Sequence, residues 1–329
     1  MEGFCMERKS VVLGIMCCLA VVGIYVLLTR QHEEVKKEGV VCTIGILQTA
    51  SHPALEAARQ GFIDKIKERA GEKIDFVVQN GQGSINTIHT IAQQFHAKQN
   101  INGIFAIATP AAQAITSIET EKPICVAAVS VTPATQELLQ GNNVFGMSDM
   151  IDVRAEVEAL RALLPQSQTV GILLCTAEIN SVSTAEIMVK ELEKIGLTPF
   201  IIGVTSESEI EPALTSALRK IDVLLSPTDN MVASAMPLIV SIMQQAGKPF
   251  VVSDNMLVEY GALMARGVDY YESGRLAGEL AIQVFMQGKK PYELSIKKAT
   301  TNTIFVNKEV CDTLGIIIPD SIKKDVVLV

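Results

Sequence analysis

The sequence predicts an α/β protein in which two similar lobes, each a doubly wound parallel sheet, meet at a hinge cleft and follow one N-terminal transmembrane helix. Three observations predict it. Short β-rich runs alternate with amphipathic helical runs from residue 41 onward; the alternation restarts near residue 149, so that two halves match element by element; and one uncharged apolar run stands ahead of both.

That run, "VVLGIMCCLAVVGIYVLL" at residues 11–28, reads as an anchor between a short head, 1–10, and a linker, 29–40. About 18 helical residues reach roughly 27 Å, close to the hydrocarbon thickness of a bilayer. A cleaved signal is the alternative, but its apolar region is about 7–15 residues with small residues at the cut, and here "TRQHEEVKK" follows. Lipidation at Cys17 or Cys18 is the other alternative, and "GIMC" offers poor small-residue spacing for it. Arg8 and Lys9 precede the run while Arg30, Lys36 and Lys37 follow it, so charge leaves the orientation open. A short head before a large body is expected to place the body on the extracytoplasmic side.

In the first half "VCTIGILQ" is a buried strand, and Leu55, Ala58, Phe62 and Ile66 recur at helical spacing behind it. "DFVVQ" is the next strand, 86–98 a helix, "GIFAIA" a strand, 110–118 a helix and "PICVAAV" a strand. Past "NVFGMSD" the cycle repeats: "TVGILLC" is a strand, Ala185, Met188, Leu192 and Ile195 mark a helix, and "TPFIIGV" is a strand. The helix at 207–220, the strand "DVLLSP", the helix at 233–246 and the strand "KPFVVSD" complete it. Strand alternating with helix implies parallel sheets covered on both faces. The first lobe is read as 41–148 with a return segment at about 257–290, and the second as 149–256 with a C-terminal segment at about 291–329. The tail carries a helix with Ala277, Leu280, Ala281, Val284 and Phe285 on one face.

Composition narrows the function. A net charge of −8 and a pI near 5.2 argue against an extended nucleic-acid face, which needs clustered Lys and Arg. No Gly-x-Ser-x-Gly elbow, P-loop or His-Glu-x-x-His stretch is present. "NGQGSIN" lacks the third glycine of a dinucleotide loop and reads as a turn at a sheet edge. No cofactor or metal is expected. The histidines, His32, His52, His89 and His96, do not cluster, and His52 reads as a solvated loop residue. Cys42, Cys125, Cys175 and Cys311 read as buried thiols, with a disulfide left open.

In doubly wound sheets ligands sit beyond the carboxyl ends of the strands. The residues there are Gln48 to His52, Asn80 to Gly83, Thr109, Pro110 and Ser130 in the first half, and Thr176 to Ser181, Thr228 to Asn230 and Ser253 to Asn255 in the second. Amide groups after Thr109 and near Asn180 and Ser181 suit an anion, while Glu178, Asp229 and Asp254 suit an ammonium. A zwitterion fits both. For Asp229 and Asp254, helix capping, ligand contact and catalysis all stand as readings.

At these residues the sequence resembles the substrate-binding proteins of bacterial ABC importers, in the family that includes tryptophan- and aromatic-amino-acid-binding members. "IGILQ", "HPALEAARQGFID", "ATPAAQ", "EINS", "PTDN" and "GVDYYESGRLAGELA" occur in the family's order and spacing from about Val41 onward. The resemblance implies a type I periplasmic-binding-protein-like fold, an amino-acid-like ligand enclosed at the hinge, and delivery to a membrane permease powered by an ATPase. A monomer that performs no covalent chemistry is expected. It places Gln48, Thr109 and Pro110 against the ligand from one lobe, with Asn180, Ser181, Asp229 and Asn230 from the other, Asp254 near a crossover and Glu178 beside them. Two cleft turns depart from the family pattern: "NGQGS" stands for Asn-Ala-Gln-Gly-Asp, and "SVTPATQEL" lacks an Asp-Pro pair. A tethered ligand-sensing receptor of the same fold is the alternative function, and an α/β enzyme using Asp229 and Asp254 a further one.

Overall fold

The computed structural model describes residues 39–299 and 303–329; the expected anchor at 11–28 lies outside the described residues, among which no helix is long and apolar enough to cross a membrane. In chain order the strands are β1 (Cys42–Gln48), β2 (Ile74–Asn80), β3 (Gly103–Ile107), β4 (Ile124–Val129), β5 (Val144–Ser148), β6 (Thr169–Cys175), β7 (Thr198–Val204), β8 (Val223–Ser226), β9 (Phe250–Val252), β10 (Met264–Ala265), β11 (Ile296–Lys298), β12 (Ile304–Val306) and β13 (Val326–Leu328). The helices are α1 (Pro53–Ala70), α2 (Ile85–Ala97), α3 (Thr109–Thr116), α4 (Pro133–Gln136), α5 (Val153–Leu163), α6 (Ile179–Lys194), α7 (Ile210–Ala217), α8 (Asn230–Ser234), α9 (Met236–Gln245), α10 (Tyr270–Phe285) and α11 (Lys308–Leu314).

Two sheets result. One has the order β11-β5-β4-β3-β1-β2 and is parallel throughout; the other has the order β13-β12-β10-β9-β8-β6-β7, with β10 and β12 antiparallel. In the first sheet β1 lies between β2 and β3, and in the second β6 lies between β7 and β8. Each sheet therefore reverses its winding there, and a crevice opens between the loops that leave β1 and β3 and between those that leave β6 and β8.

Each sheet buries both faces, which is why its strands read as continuous apolar runs. In the first, Ile44, Ile46 and Phe105 pack with Phe62 of α1 and Ala277 of α10, while Leu47 and Ile104 face Ile88, Phe95 and Ile115. In the second, Ile172 and Val223 pack with Leu160 and Met188, while Leu173 and Leu224 face Leu214 and Ile239. The four cysteines of the body are buried free thiols.

The structure differs from the sequence reading in three places. Helix α5 was not expected, although Asp152 caps it by accepting from the Ala155 amide and Val153, Val157 and Leu160 recur on its buried side. The single helix expected at 233–246 is two helices parted at Ala235, where Pro237 in the first turn of α9 cannot donate to a preceding carbonyl. The tail crosses between sheets later than 257–290 implies: Leu257 and Val258 pack in the second lobe, β10 joins its sheet, and α10 and β11 return to the first. The chain thus passes between sheets three times, after Ser148, Ala265 and Lys298. Glycines fix the return. A methyl group on Gly61 of α1 would lie 2.1 Å from the Tyr271 carbonyl oxygen, and one on Gly274 of α10 would lie 2.0 Å from that of Ala58, so the two backbones touch without side chains between them.

Candidate functional site

The polar residues at the strand ends converge from both lobes. A central cavity of about 10 Å³, room for one water-sized group, is lined by His52, Ala108, Thr109, Ala128 and Asp149 after the first-lobe strands, by Asn180, Thr228, Asp229, Asn230 and Asp254 after the second-lobe strands, and by Leu55 and Tyr270. Beside it lies a second cavity of about 490 Å³ that shares Asn230 and takes its walls from Ala50, Ile85, Pro110, Glu178 and Met231 among others. Neither cavity is lined by a Lys or Arg.

Local sequence explains each placement. Ala108, just past β3, and Ala128, inside β4 where its register with β5 shifts, have φ of 74° and 54°, a region L-residues avoid at about 1–3 kcal/mol each, and both line the central cavity. Thr109 and Ser130 then follow the two strands side by side, and the Ser130 amide donates to Thr109 Oγ1 at 3.2 Å. The Ser130 hydroxyl donates to Asp149 Oδ1 at 2.8 Å, and the Tyr270 hydroxyl donates to Asp149 Oδ2 at 3.2 Å. Thr228 of the second lobe lines the same cavity as Tyr270 of the helix that returned to the first.

His52 links the lobes. Its Nε2 lies 3.2 Å from Asn230 Oδ1, and the Asn230 amide nitrogen donates to Glu178 Oε2 at 2.6 Å. That bond turns the Asn230 oxygen toward the ring, so Nε2 carries the proton. Burial lowers the His52 pKa to about 4 and keeps the ring neutral, which leaves Nδ1 as a bare acceptor; it is buried and has no hydrogen-bond partner. Asn180 is held similarly. Its Nδ2 donates to the Thr228 carbonyl at 3.0 Å, so Oδ1 is the free end, and that atom too is buried without a partner.

Of the other expected residues, Asp229 caps α8. Its Oδ1 accepts from the Val232 amide, and its Oδ2 accepts from the Cys175 amide at 2.6 Å and the Ser181 hydroxyl at 2.5 Å. Glu178, expected to suit an ammonium, accepts from the Asn230 and Met231 amides and lies at the start of α8. Asp254 caps the turn after β9 through the Met256 amide and also lines the central cavity. Pro110 lines the larger cavity. Gln48, at the end of β1, lines neither cavity: its amide nitrogen donates to the Ala50 carbonyl and to Glu56, and its Oε1 accepts from Arg59. The "NGQGS" turn brings Gln82 and Gly83 to the larger cavity's wall.

Burial raises the central acids above the usual carboxylate range. Asp149 is pushed up to about 6, against the pull of the Ser130 and Tyr270 hydroxyls. Asp254 is pushed up to about 7, with the charge of Asp149 adding to burial. Glu178 and Asp229 are raised for the same first reason, and the Asp229 charge adds to the rise of Glu178.

Asp149 and Tyr270 escaped the sequence reading, and His52 was placed at a strand end but read as solvated. Asp149 fell at the junction of the two halves. His52, expected in solvent, is 8% exposed. Tyr270 belonged to the quoted "GVDYYESGRLAGELA" run without being singled out. A signal existed for Tyr270 only: a large residue with a polar tip just ahead of an otherwise small-residue helix face.

A family model described as "ABC transporter substrate binding protein" matches residues 43–327. The chain is 32% identical over 279 residues, 82% of this chain and 80% of the other, to a "Tyrosine-binding protein" of Clostridioides difficile strain R20291. It is similar, at a TM-score of 0.82 and 32% identity over 87% of this chain and 99% of the other, to the structure of an ABC domain in complex with L-Trp from Streptococcus pneumonia. Against the ligand-free, open structure of a substrate-binding protein with adhesive properties from Clostridium difficile the TM-score is 0.65, at 32% identity over 88% and 99% of the two chains. The lobes are thus set closer to the L-Trp-bound arrangement than to the open one. With both lobes, three crossings and an enclosed interlobe cavity in place, the chain belongs to the family of ABC transporter substrate-binding proteins.

Proposed function

We propose that this protein is the extracytoplasmic solute-binding component of an importer, held at the membrane through residues 11–28, that captures an aromatic amino acid between its lobes and delivers it to a permease driven by an ATPase. One observation carries the reading: buried polar groups from both lobes, among them the unpartnered Asn180 Oδ1 and His52 Nδ1, converge on one cavity at the strand ends. Unpaired buried acceptors are costly and call for a donor. Relatives that bind tyrosine and L-Trp at 32% identity support the aromatic class. The larger cavity supports it as well, because its 490 Å³ lies within the usual range of about 300–1,000 Å³ for ligand sites and its walls include Ala50, Ile85, Pro110 and Met231.

The mechanism is closure. Contacts to both lobes exist together only when the cleft is shut, so a ligand that makes them shifts the population toward the shut form. Covalent chemistry is not part of it. Calorimetric titration of the purified full-length chain, unfolded and refolded to strip carried-over ligand, against the common amino acids tests the reading. Single-site binding of tyrosine or tryptophan is expected, and the absence of any heat with the aromatic set refutes it.

A further inference from the structure

Beside the crossings between the sheets lies a buried acid that lines neither cavity. Glu156 stands one turn into α5, the helix that follows the first crossing, and is 0% exposed. Its Oε2 lies 3.1 Å from the Ser253 hydroxyl, and its Oε1 is buried without a hydrogen-bond partner. Ser253 and Arg266 leave the paired strands β9 and β10 side by side, so Arg266 begins the second crossing next to Ser253. No side chain fits where that crossing continues: a methyl group on Gly267 would lie 2.8 Å from the Ser253 carbonyl oxygen and 2.7 Å from the Asn255 nitrogen. Glu156 thus ties the helix after the first crossing to the seam against which the second crossing rests.

Hydrogen-bond counting favours one protonation state. The Ser253 hydroxyl has one proton and two acceptors in reach, Glu156 Oε2 and the Ser226 carbonyl at 3.2 Å. With a proton on Glu156, the carboxyl donates to Ser253 Oγ and Ser253 donates to Ser226, so both contacts are satisfied. Burial accordingly pushes Glu156 up to about 8, against the Ser253 hydroxyl and the charge of Arg266. Other charges nearby are engaged elsewhere. On α5, Asp152 caps the helix, Arg154 pairs with Glu158 and Arg161 donates to the Ser167 carbonyl. On α6, which packs against it, Glu191 pairs with Lys194, and Glu186, Lys190 and Glu193 are exposed. Asp254, next after Ser253, accepts from the Met256 amide.

From this geometry we propose that Glu156 is a proton-operated switch at the hinge: protonated, it completes the bonds through Ser253 to Ser226 and holds the crossings as they stand; ionised, it is drawn to Arg266 on the second crossing and the lobes swing apart. The inference rests on the reading of closure about the crossings, and not on which ligand fills the cleft. The sign follows from linkage. The shut form binds the proton more tightly than an open form in which water reaches the carboxyl. Its advantage is therefore complete below the ordinary carboxylate range near pH 4, shrinks by up to about tenfold per pH unit above it, and is gone above about pH 8.

X-ray scattering of the ligand-free, full-length chain between pH 6 and pH 9 tests it, because the radius of gyration reads the balance of shut and open forms. The parent is expected to lose at least about tenfold in its shut-to-open ratio over that range, and so to expand. Glu156→Gln and Glu156→Leu cannot ionise and are expected to keep the pH 6 radius throughout; the second needs no hydrogen bond and stands in if the first fails to fold. Asp149 and Asp254, raised to about 6 and about 7, titrate in the same window and remain in both variants. An expansion as large as the parent's in either variant therefore belongs to those acids and overturns the inference. A parent radius that does not change with pH overturns it as well. In binding, the switch opposes any gain from ionising Asp149 and Asp254, so affinity for tyrosine should climb more steeply with pH in Glu156→Gln than in the parent. A parent that expands with pH, yet contracts with neither tyrosine nor tryptophan, keeps the switch and removes the aromatic-amino-acid reading.

Discussion

Asp254 is a buried acid with one backbone partner, the Met256 amide, and a face on the central cavity. Asp254→Asn keeps the shape and the turn but removes the charge an ammonium would meet, so affinity for tyrosine should fall by about a hundredfold with the melting temperature nearly unchanged. Asp229 is the contrast, since all of its bonds run inward; Asp229→Ala strands the Cys175 and Val232 amides and should destabilise the fold by about 2–4 kcal/mol in chemical denaturation. The pKa directions give a third expectation. Asp149 and Asp254 are raised to about 6 and about 7, so without ligand they hold protons that an ammonium must displace. Their contribution to ligand-free stability is complete below the ordinary carboxylate range near pH 4 and is lost as pH rises through 6 and 7, because the folded form binds those protons more tightly than the unfolded chain. Binding has the opposite trend. Affinity should rise from about pH 5 to pH 8, with proton release visible as a buffer-dependent heat near pH 6.5. His52, lowered to about 4, stays neutral across that window, while Asp229 is raised like its neighbours and Tyr270 stays protonated, its pKa lying well above 10. Heats that do not depend on buffer would refute the charge-exchange picture.

At the scale of elements, α10 decides how the tail is tied to the first lobe. The backbones of α1 and α10 meet at Gly61 and Gly274, where no Cβ fits. Gly274→Val should therefore separate the helices and destabilise the lobe by about 3 kcal/mol or more, comparable with the overpacking of a core. Phe62, stacked on Phe105 with ring centroids 3.7 Å apart, is the neighbouring anchor. Most elements were legible in the sequence because strands buried on both faces read as apolar runs and surface helices carry a 3.6-residue stripe. Helix α5 has such a stripe and a capping Asp, yet it lies at the junction of the halves, where the eye reads a boundary. Strands β10, β11 and β13, at 2 or 3 residues each, are too short to carry any period, and their existence depends on partners far away in the chain.

The whole molecule adds the relation between lobes. Among the described residues a hydrogen bond crosses the cleft without a ligand, His52 to Asn230, and it locks groups that must separate before anything larger than a water-sized group enters the central cavity. His52→Ala should therefore populate the open form more in the absence of ligand, seen as a larger radius of gyration in X-ray scattering, and tyrosine should contract the parent and the variant to the same closed value. An unchanged radius in the ligand-free variant would show that the histidine is not part of the latch.

The sequence by itself determined the class of fold, the doubling of the plan, the family and the strand-end loops where Thr109, Asn180, Asp229 and Asp254 reside, because periodicity and local turn chemistry are written along the chain. Only the tertiary structure decided which of those residues meet. It tied Gln48 to Glu56 and Arg59, turned Asp229 into a cap and Glu178 toward the start of α8, and drew His52, Asp149 and Tyr270 into the cavity. The physical reason is that burial, and with it protonation state and hydrogen-bonding role, is a property of two lobes pressed together, and none of these side chains acquires it from its own segment.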